Sequence, residues 1–519
     1  MAPAGERPIR AAEVVGALSL ASDLGTGQPL EHALRSAVLA VRLGELAGAS
    51  AKEVADTYYV ALLHASGCTS NGHEAALLYG DDIEHRAAFF LIDTTNSAEV
   101  LEFYRAHVGA GRPPDVRSAL IDDAIANAGP RARAAFATMC EVAQRFAGWL
   151  DLGAGVEAAL EYVFSRWDGR GFPDARGDEI PLPMRLLHVA RDISLFLSAA
   201  GADDARGVIE RRAGAAYDPR LAEIALRNFE ELLADLDDTR MWEQVLEIEP
   251  FPQLWIGGDA VDAAFLAIAA LTGLKSPWLR EHSTAVAELA ESAAWRLGLP
   301  PASVTLVRRA ALATDLGRVG VSNAIWEKPG PLGFGEWERV RLHPHFTERA
   351  FAQSRELAPI GMVAGSHHER LDGSGYHRGT RGSALDQAAR ILGAADCYCA
   401  MREPRPYRAA LDAGAAEAEL LRESAEDRLD SDAVAAVLES AGHSVEPRRR
   451  ELPSGLTERE LQVLLVLARG KSNQQIASDL RISAKTVDNH VQHVYEKAGV
   501  RSRAAATLWA FEHDLVHTA

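Results

Sequence analysis

Cysteine is almost missing from this chain: four in 519 residues, Cys68, Cys140, Cys397 and Cys399. That excludes a disulfide framework and fits a reducing cytoplasm. Cys397 and Cys399 flank Tyr398, a spacing that reads as buried helix positions rather than a metal site. No apolar run reaches membrane length, and Met1-Ala2-Pro3-Ala4-Gly5-Glu6-Arg7 does not read as a signal peptide. A cytoplasmic protein without a membrane partner is expected. The strand–helix alternation of a phosphoacceptor receiver domain is also lacking, which disfavours control by phosphorylation. Excess positive charge is lacking too, since the formal net charge is −19. From Glu451 onward eight basic residues balance eight acidic ones, so the first 450 residues carry the whole excess. An acidic body repels nucleic acid at long range, which leaves DNA contact to the tail. Arg448-Arg449-Arg450 reads as a solvated linker.

What is present is ample apolar material, 48% of residues, enough for about three or four domains. Most segments are rich in Ala, Leu, Glu and Arg at helical spacing, so the fold class is mainly α. The tail is the most explicit part. Thr457 with Glu460, and Ser472 with Gln475, are capping boxes that start two helices. Leu461, Leu464, Leu465 and Ala468 recur at helical spacing between them, and Gly470 closes the first helix. Ser483 reads as the N-cap of a third helix with Val487, Val491 and Val494 inward. Its other face carries Lys485, Thr486, Asn489, Gln492, His493 and Lys497, suited to base edges and phosphates in a major groove. A last helix is expected from about Arg503 to Glu512.

Residues 456–519 resemble the LuxR-type (FixJ/NarL) helix-turn-helix family. The resemblance rests on Leu456-Thr457-Glu458-Arg459-Glu460, Ser472-Asn473-Gln474-Gln475-Ile476-Ala477 and Ser483 through His490. It implies a sequence-specific, usually dimeric transcriptional regulator that binds double-stranded DNA as a homodimer. Asp488 departs from the family, which usually has Lys or Arg there, so affinity is expected to be low or effector-dependent.

The body repeats itself. Glu31-His32 returns as Glu281-His282, and His64-Ala65 as Thr314-Asp315, both 250 residues on. Asp168-Gly169-Arg170-Gly171 returns as Asp372-Gly373-Ser374-Gly375, and Asp192 as Asp396, 204 residues on. The drop of 46 implies an extra stretch inside the first copy. Two tandem helical modules follow, over residues 11–245 and 255–445, with a linker over 446–455 marked by Pro447 and Pro453-Ser454-Gly455.

The second copy gathers His282, Asp315, His343, His367, His368 and Asp396, whose imidazoles and carboxylates suit iron, manganese or zinc. It resembles the HD-GYP family of metal-dependent phosphodiesterases through Arg280-Glu281-His282, Thr314-Asp315-Leu316-Gly317-Arg318, His343-Pro344, His367-His368-Glu369-Arg370-Leu371-Asp372-Gly373-Ser374-Gly375-Tyr376 and Ala395-Asp396. That resemblance implies a two- or three-metal centre that hydrolyses a cyclic dinucleotide, typically cyclic di-GMP, with Asp315 and Arg318 the catalytic candidates. Thr314 stands where the family has His, Arg318 where it has Lys, and His377 where it has Pro. The expected function is a DNA-binding regulator whose HD-GYP-like body senses a ligand or metal or dimerises. The alternative is a cyclic dinucleotide phosphodiesterase that also binds DNA. The first copy keeps His32, His64, Asp168 and Asp192, too few ligands for catalysis, and is expected to be a scaffold or dimerisation module.

Overall fold

Ala- and Leu-rich amphipathic stretches form helices throughout most of the computed structural model, which describes residues 7–444, 453–513 and 515. The strands among the described residues are Ile9–Arg10 and Trp255–Ile256, paired antiparallel with Ile9 opposite Ile256. This short ladder ties the start of the first repeat to the start of the second. Arg10 secures it, donating from Nε to Glu249 Oε2 at 2.7 Å, while Glu249 Oε1 accepts from Tyr59 at 2.8 Å. Two compact units result, Met1–His443 and Ser444–Ala519.

The repeat is a repeat of structure. Helices His32–Leu46, Ala51–Leu63 and Leu182–Ala200 pack together in the first copy. Helices His282–Arg296, Pro301–Ala313 and Gln387–Arg402 do so in the second. The surplus of the first copy is folded into the helices from Gly72–Tyr79 to Ala128–Trp149. That insertion grips the second copy through Asp82. Its carboxylate accepts from Lys275 Nζ at 2.9 Å, Arg86 Nη1 at 3.0 Å, Ser322 Oγ at 2.9 Å and the Asn323 amide at 2.7 Å. Neither the Asp82 nor the Lys275 side chain reaches solvent.

The smaller unit has helices Glu458–Ala468, Asn473–Asp479, Ala484–Ala498 and Arg503–Glu512. Thr457 and Ser472 cap the first two with reciprocal Glu460 and Gln475 bonds, and Ser483 caps the third. Gly470 takes φ +80°, a left-handed turn that a side chain would strain. Leu464, Leu467, Ile476, Val487, Val491, Val494 and Trp509 form its core. Arg448-Arg449-Arg450 and most of the expected linker lie outside the described residues. No helix among the described residues is long and apolar enough to cross a membrane.

Candidate metal centre and nucleic-acid interface

Three of the six expected ligands meet in the second copy. His343, His367 and His368 each offer a ring nitrogen, and these atoms all lie within 4.8 Å of one another. His343 Nδ1 donates to the Val340 carbonyl at 2.6 Å, and His367 Nδ1 to the Ala364 carbonyl at 2.7 Å. A carbonyl oxygen only accepts, so these contacts place each proton on Nδ1 and leave Nε2 with a lone pair. The two Nε2 atoms face each other at 3.1 Å. Burial, reinforced by the charges of His367 and Arg318, pushes His343 well below the ordinary imidazole range, and burial pushes His367 down as well. Asp315 Oδ1 sits 3.9 Å from His343 Nε2 and 3.8 Å from His367 Nε2. Both Asp315 oxygens are buried without a hydrogen-bond donor. Lone pairs aimed at one another beside a buried carboxylate that no hydrogen-bond donor reaches fit a divalent cation, which would join them.

His282 and Asp396 sit to one side of this cluster. His282 Nε2 lies 3.0 Å from Asp396 Oδ1, and its Nδ1 lies 2.9 Å from Glu403 Oε2. Burial opposes its charge, yet the hydrogen bonds to Asp396 and Glu403 raise the His282 imidazole to about 9. His282 Nε2 remains 3.7 Å from Asp315, and His368 Nδ1 is 3.9 Å from Asp396. Glu403 was invisible to sequence reasoning. Its signal was its place two residues before Arg405, which pairs with it at 2.8 Å.

Two of the three departures from the HD-GYP motif, Thr314 and Arg318, have distinct surroundings. Thr314 turns its hydroxyl back into its own helix, donating to the Ala310 carbonyl at 2.9 Å. Arg318 Nε lies 2.8 Å from Asp315 Oδ1, an ion pair misaligned for a hydrogen bond, and its guanidinium stacks 4.5 Å over Trp326. Gly317 lets the loop pass under the site, for a Cβ there would lie 2.0 Å from the His343 carbonyl oxygen. Gly317→Ala is expected to force these backbones apart and destabilise the body by about 1–3 kcal/mol, read as a lowered denaturation midpoint.

On the smaller unit, Lys485, Asn489, Gln492 and His493 are exposed along one face of Ala484–Ala498, opposite its buried valines. Thr486 is half-buried, its Oγ1 2.7 Å from Ser483 Oγ. Lys497, also exposed, donates to Glu460 at 2.6 Å and to the Gly455 carbonyl at 2.8 Å. His493 Nδ1 is 3.4 Å from the same Glu460. Asp488, exposed on the same helix, accepts from Asn473 Nδ2.

Residues 267–433 match the family described as "HD domain", and residues 454–510 match "Bacterial regulatory proteins, luxR family". A 3'3'-cGAMP-specific phosphodiesterase 3 of Vibrio cholerae is 30% identical over 430 residues, 82% of this chain and 93% of that one. The chain belongs to the HD-domain family. A crystal structure of the V. cholerae cyclic GMP-AMP phosphodiesterase V-cGAP3 superposes with TM-score 0.61 at 26% identity, covering 85% of this chain and 99% of that one. The tail carries a LuxR-type DNA-binding domain. It is 46% identical over 69 residues to the response regulator protein VraR of Staphylococcus aureus, 13% of this chain and 33% of that one.

In the first repeat, arginines surround the carboxylate that corresponds in sequence to Asp396. Asp192, the counterpart of Asp396, is bound by Arg191 Nε at 2.9 Å, Arg212 Nη1 at 3.1 Å and Tyr217 Oη at 2.5 Å. His64 Nδ1 donates to the Ala61 carbonyl at 2.7 Å, the same arrangement as His343 and His367 in the second HD module. His32 turns Nδ1 to Ser194 Oγ at 3.0 Å. Burial and the Arg191 charge push His64 down to about 4, and burial with His64 and Arg191 pushes His32 down to about 3. Asp168 pairs with Arg166 at 3.2 Å and takes no part in a ligand cluster.

Proposed function

We propose that this protein is a DNA-binding transcriptional regulator whose second HD module holds one metal ion and recognises the phosphodiester of a cyclic dinucleotide there. The observation that carries the metal is the facing pair of His343 and His367 Nε2 atoms, 3.1 Å apart beside the donorless Asp315 carboxylate. His343, His367, His368 and Asp315 would hold it, and iron, manganese and zinc all suit such a set. When bound, the ion neutralises charge on phosphoryl oxygens and lowers the pKa of a bound water. The chain's own groups do the positioning. Val340 and Ala364 fix the two imidazole tautomers, Asp396 and Glu403 hold His282 aside, and the buried Arg318 keeps a fixed positive charge against Asp315. Thr314, engaged with its own helix, leaves the second metal position of the family without its imidazole.

The second reading, hydrolysis of the cyclic dinucleotide, is favoured by the relationship to the V. cholerae phosphodiesterase over 93% of that chain. Elemental analysis of the purified protein, followed by product analysis with 3'3'-cGAMP and cyclic di-GMP, tests both readings. A metal-loaded protein that binds the dinucleotide uncut supports the sensor. Linear products lost in Asp315→Asn support the enzyme. No metal under any loading ends both.

For the tail, Lys485→Ala is expected to weaken binding evenly across DNA sequences and lower the salt slope by about 1, as loss of one phosphate contact does. Asn489→Ala is expected to relax base preference at one position, at a cost of about 1–3 kcal/mol. Gel-shift titrations at several salt concentrations separate the two, and identical losses on every sequence would refute the assignment of this face. Leu508 and Phe511, both exposed on the last helix, give two copies an apolar pair through which to dimerise on DNA.

A further inference from the structure

The first repeat carries an open surface cleft that reaches Asp192 and is lined by aromatic and cationic side chains. One wall is aromatic, with Phe136 and Phe164 stacked at 4.1 Å between centroids and 16° between planes. Both rings are only half-buried, unlike core phenylalanines. The other wall is cationic. Arg166, Arg191 and Arg212 all line the cleft against a single lining carboxylate, Asp192. The acids that brace Arg166, Asp93 and Asp168, stand behind that wall and do not line the cleft.

Arg191 is the informative side chain. It is 17% exposed and donates from Nε to Asp192. Arg212 and Tyr217 already serve the other Asp192 oxygen. Neither terminal nitrogen of Arg191 donates to another described residue. A guanidinium with two unused nitrogens, largely withdrawn from water and facing a cleft, is a ready fork for a phosphate. A protein of net charge −19 that concentrates cationic groups on one concave aromatic surface selects an anion with a flat ring.

We infer that this cleft is a second, metal-independent binding site for a phosphorylated nucleotide, its base against Phe136 and Phe164 and its phosphate on Arg191 and Arg212. The site is separate from the metal centre and stands or falls independently of it. No bond is made or broken there, because the module lacks the ligand set for hydrolysis.

Isothermal titration of the full chain with 3'3'-cGAMP, cyclic di-GMP and, separately, GMP tests this. The His343→Ala/His367→Ala variant removes the metal centre, so binding that persists in it reports the cleft. In that background Arg191→Gln is expected to weaken the tightest of the three probes by at least about tenfold, the cost of a charge-assisted hydrogen bond. Arg191→Lys, which keeps the charge and the ion pair to Asp192, is expected to lose less. Phe164→Leu should weaken binding through lost stacking while leaving the arginines in place. GMP alone binding points to a mononucleotide occupant, and a cyclic probe alone binding points to a dinucleotide. Either supports the site if Arg191→Gln abolishes it. Retained affinity in Arg191→Gln, or no probe bound once the metal centre is removed, overturns it. Loss of binding in the His343→Ala/His367→Ala variant with Arg191→Gln unaffected would place all nucleotide at the metal centre and also overturn it.

Discussion

Replacing His343 and His367 together with alanine is expected to bring bound metal down from about one ion per chain to background, because it removes two of the four groups that converge there. The effect should be close to complete. A single remaining imidazole, His368, and the Asp315 carboxylate do not make a tetrahedral set, and loss even of outer supporting partners commonly costs 10–100-fold in affinity (about 1.4–2.8 kcal/mol). The control is His32→Ala in the first repeat. Its ring is turned to Ser194 and its surroundings hold Arg191, so metal content should not change. Plasma emission analysis after gel filtration reads both. Equal metal in wild type and the His343→Ala/His367→Ala variant would place the ion elsewhere and remove the centre described here. Any response of DNA binding to a cyclic dinucleotide at this centre is expected to disappear with the metal.

Asp82→Ala is expected to destabilise the body by about 3–5 kcal/mol, the cost of leaving a buried charge uncompensated. Lys275 Nζ is fully buried and donates to Asp82 at 2.9 Å, and Arg86 is nearly as enclosed. Removing the carboxylate leaves two cations facing each other without an anion. Adding Lys275→Met to Asp82→Ala should recover part of the loss, since one uncompensated charge then goes with its partner, and the double-mutant cycle measures that coupling. The pH dependence has a definite sign. Burial pushes the Asp82 carboxyl up, but Lys275 and Arg86 hold it well below the ordinary carboxylate range. A group with a depressed folded-state pKa stabilises fully above its unfolded value, about 4, and loses that contribution as pH falls toward its folded value. The gap between wild type and Asp82→Ala in urea midpoint should therefore be constant near neutrality and shrink below about pH 4. A gap that grew on acidification would contradict the assignment.

The tail was legible almost residue by residue, because capping and periodicity are local. Thr457, Ser472 and Ser483 start helices where their side chains reach the third backbone amide, and the last helix runs Arg503–Glu512. Lys497 shows what local reading does not give: the partners of its ammonium, Glu460 and the Gly455 carbonyl, lie 37 and 42 positions away. The ligand residues of the second HD module were legible as a set. Their division was not, because it depends on Glu403, which reaches His282 across 121 positions of sequence. Asp82 was silent for the same reason. Nothing in the turn that carries Asp82 foretells Lys275 or Asn323, which come from the other repeat. In the first repeat the sequence shows which of the second repeat's His and Asp positions are changed. That Arg191 and Arg212 had taken over Asp192 needed three-dimensional packing to see.

The most direct test of the central claim is footprinting of the full-length, metal-loaded protein on genomic DNA fragments, with and without 3'3'-cGAMP or cyclic di-GMP. The account predicts a protected site related by two-fold symmetry, its occupancy changed when the dinucleotide is present, and weaker and less selective in Asn489→Ala. Absence of sequence-selective protection under every combination of metal and nucleotide would contradict it.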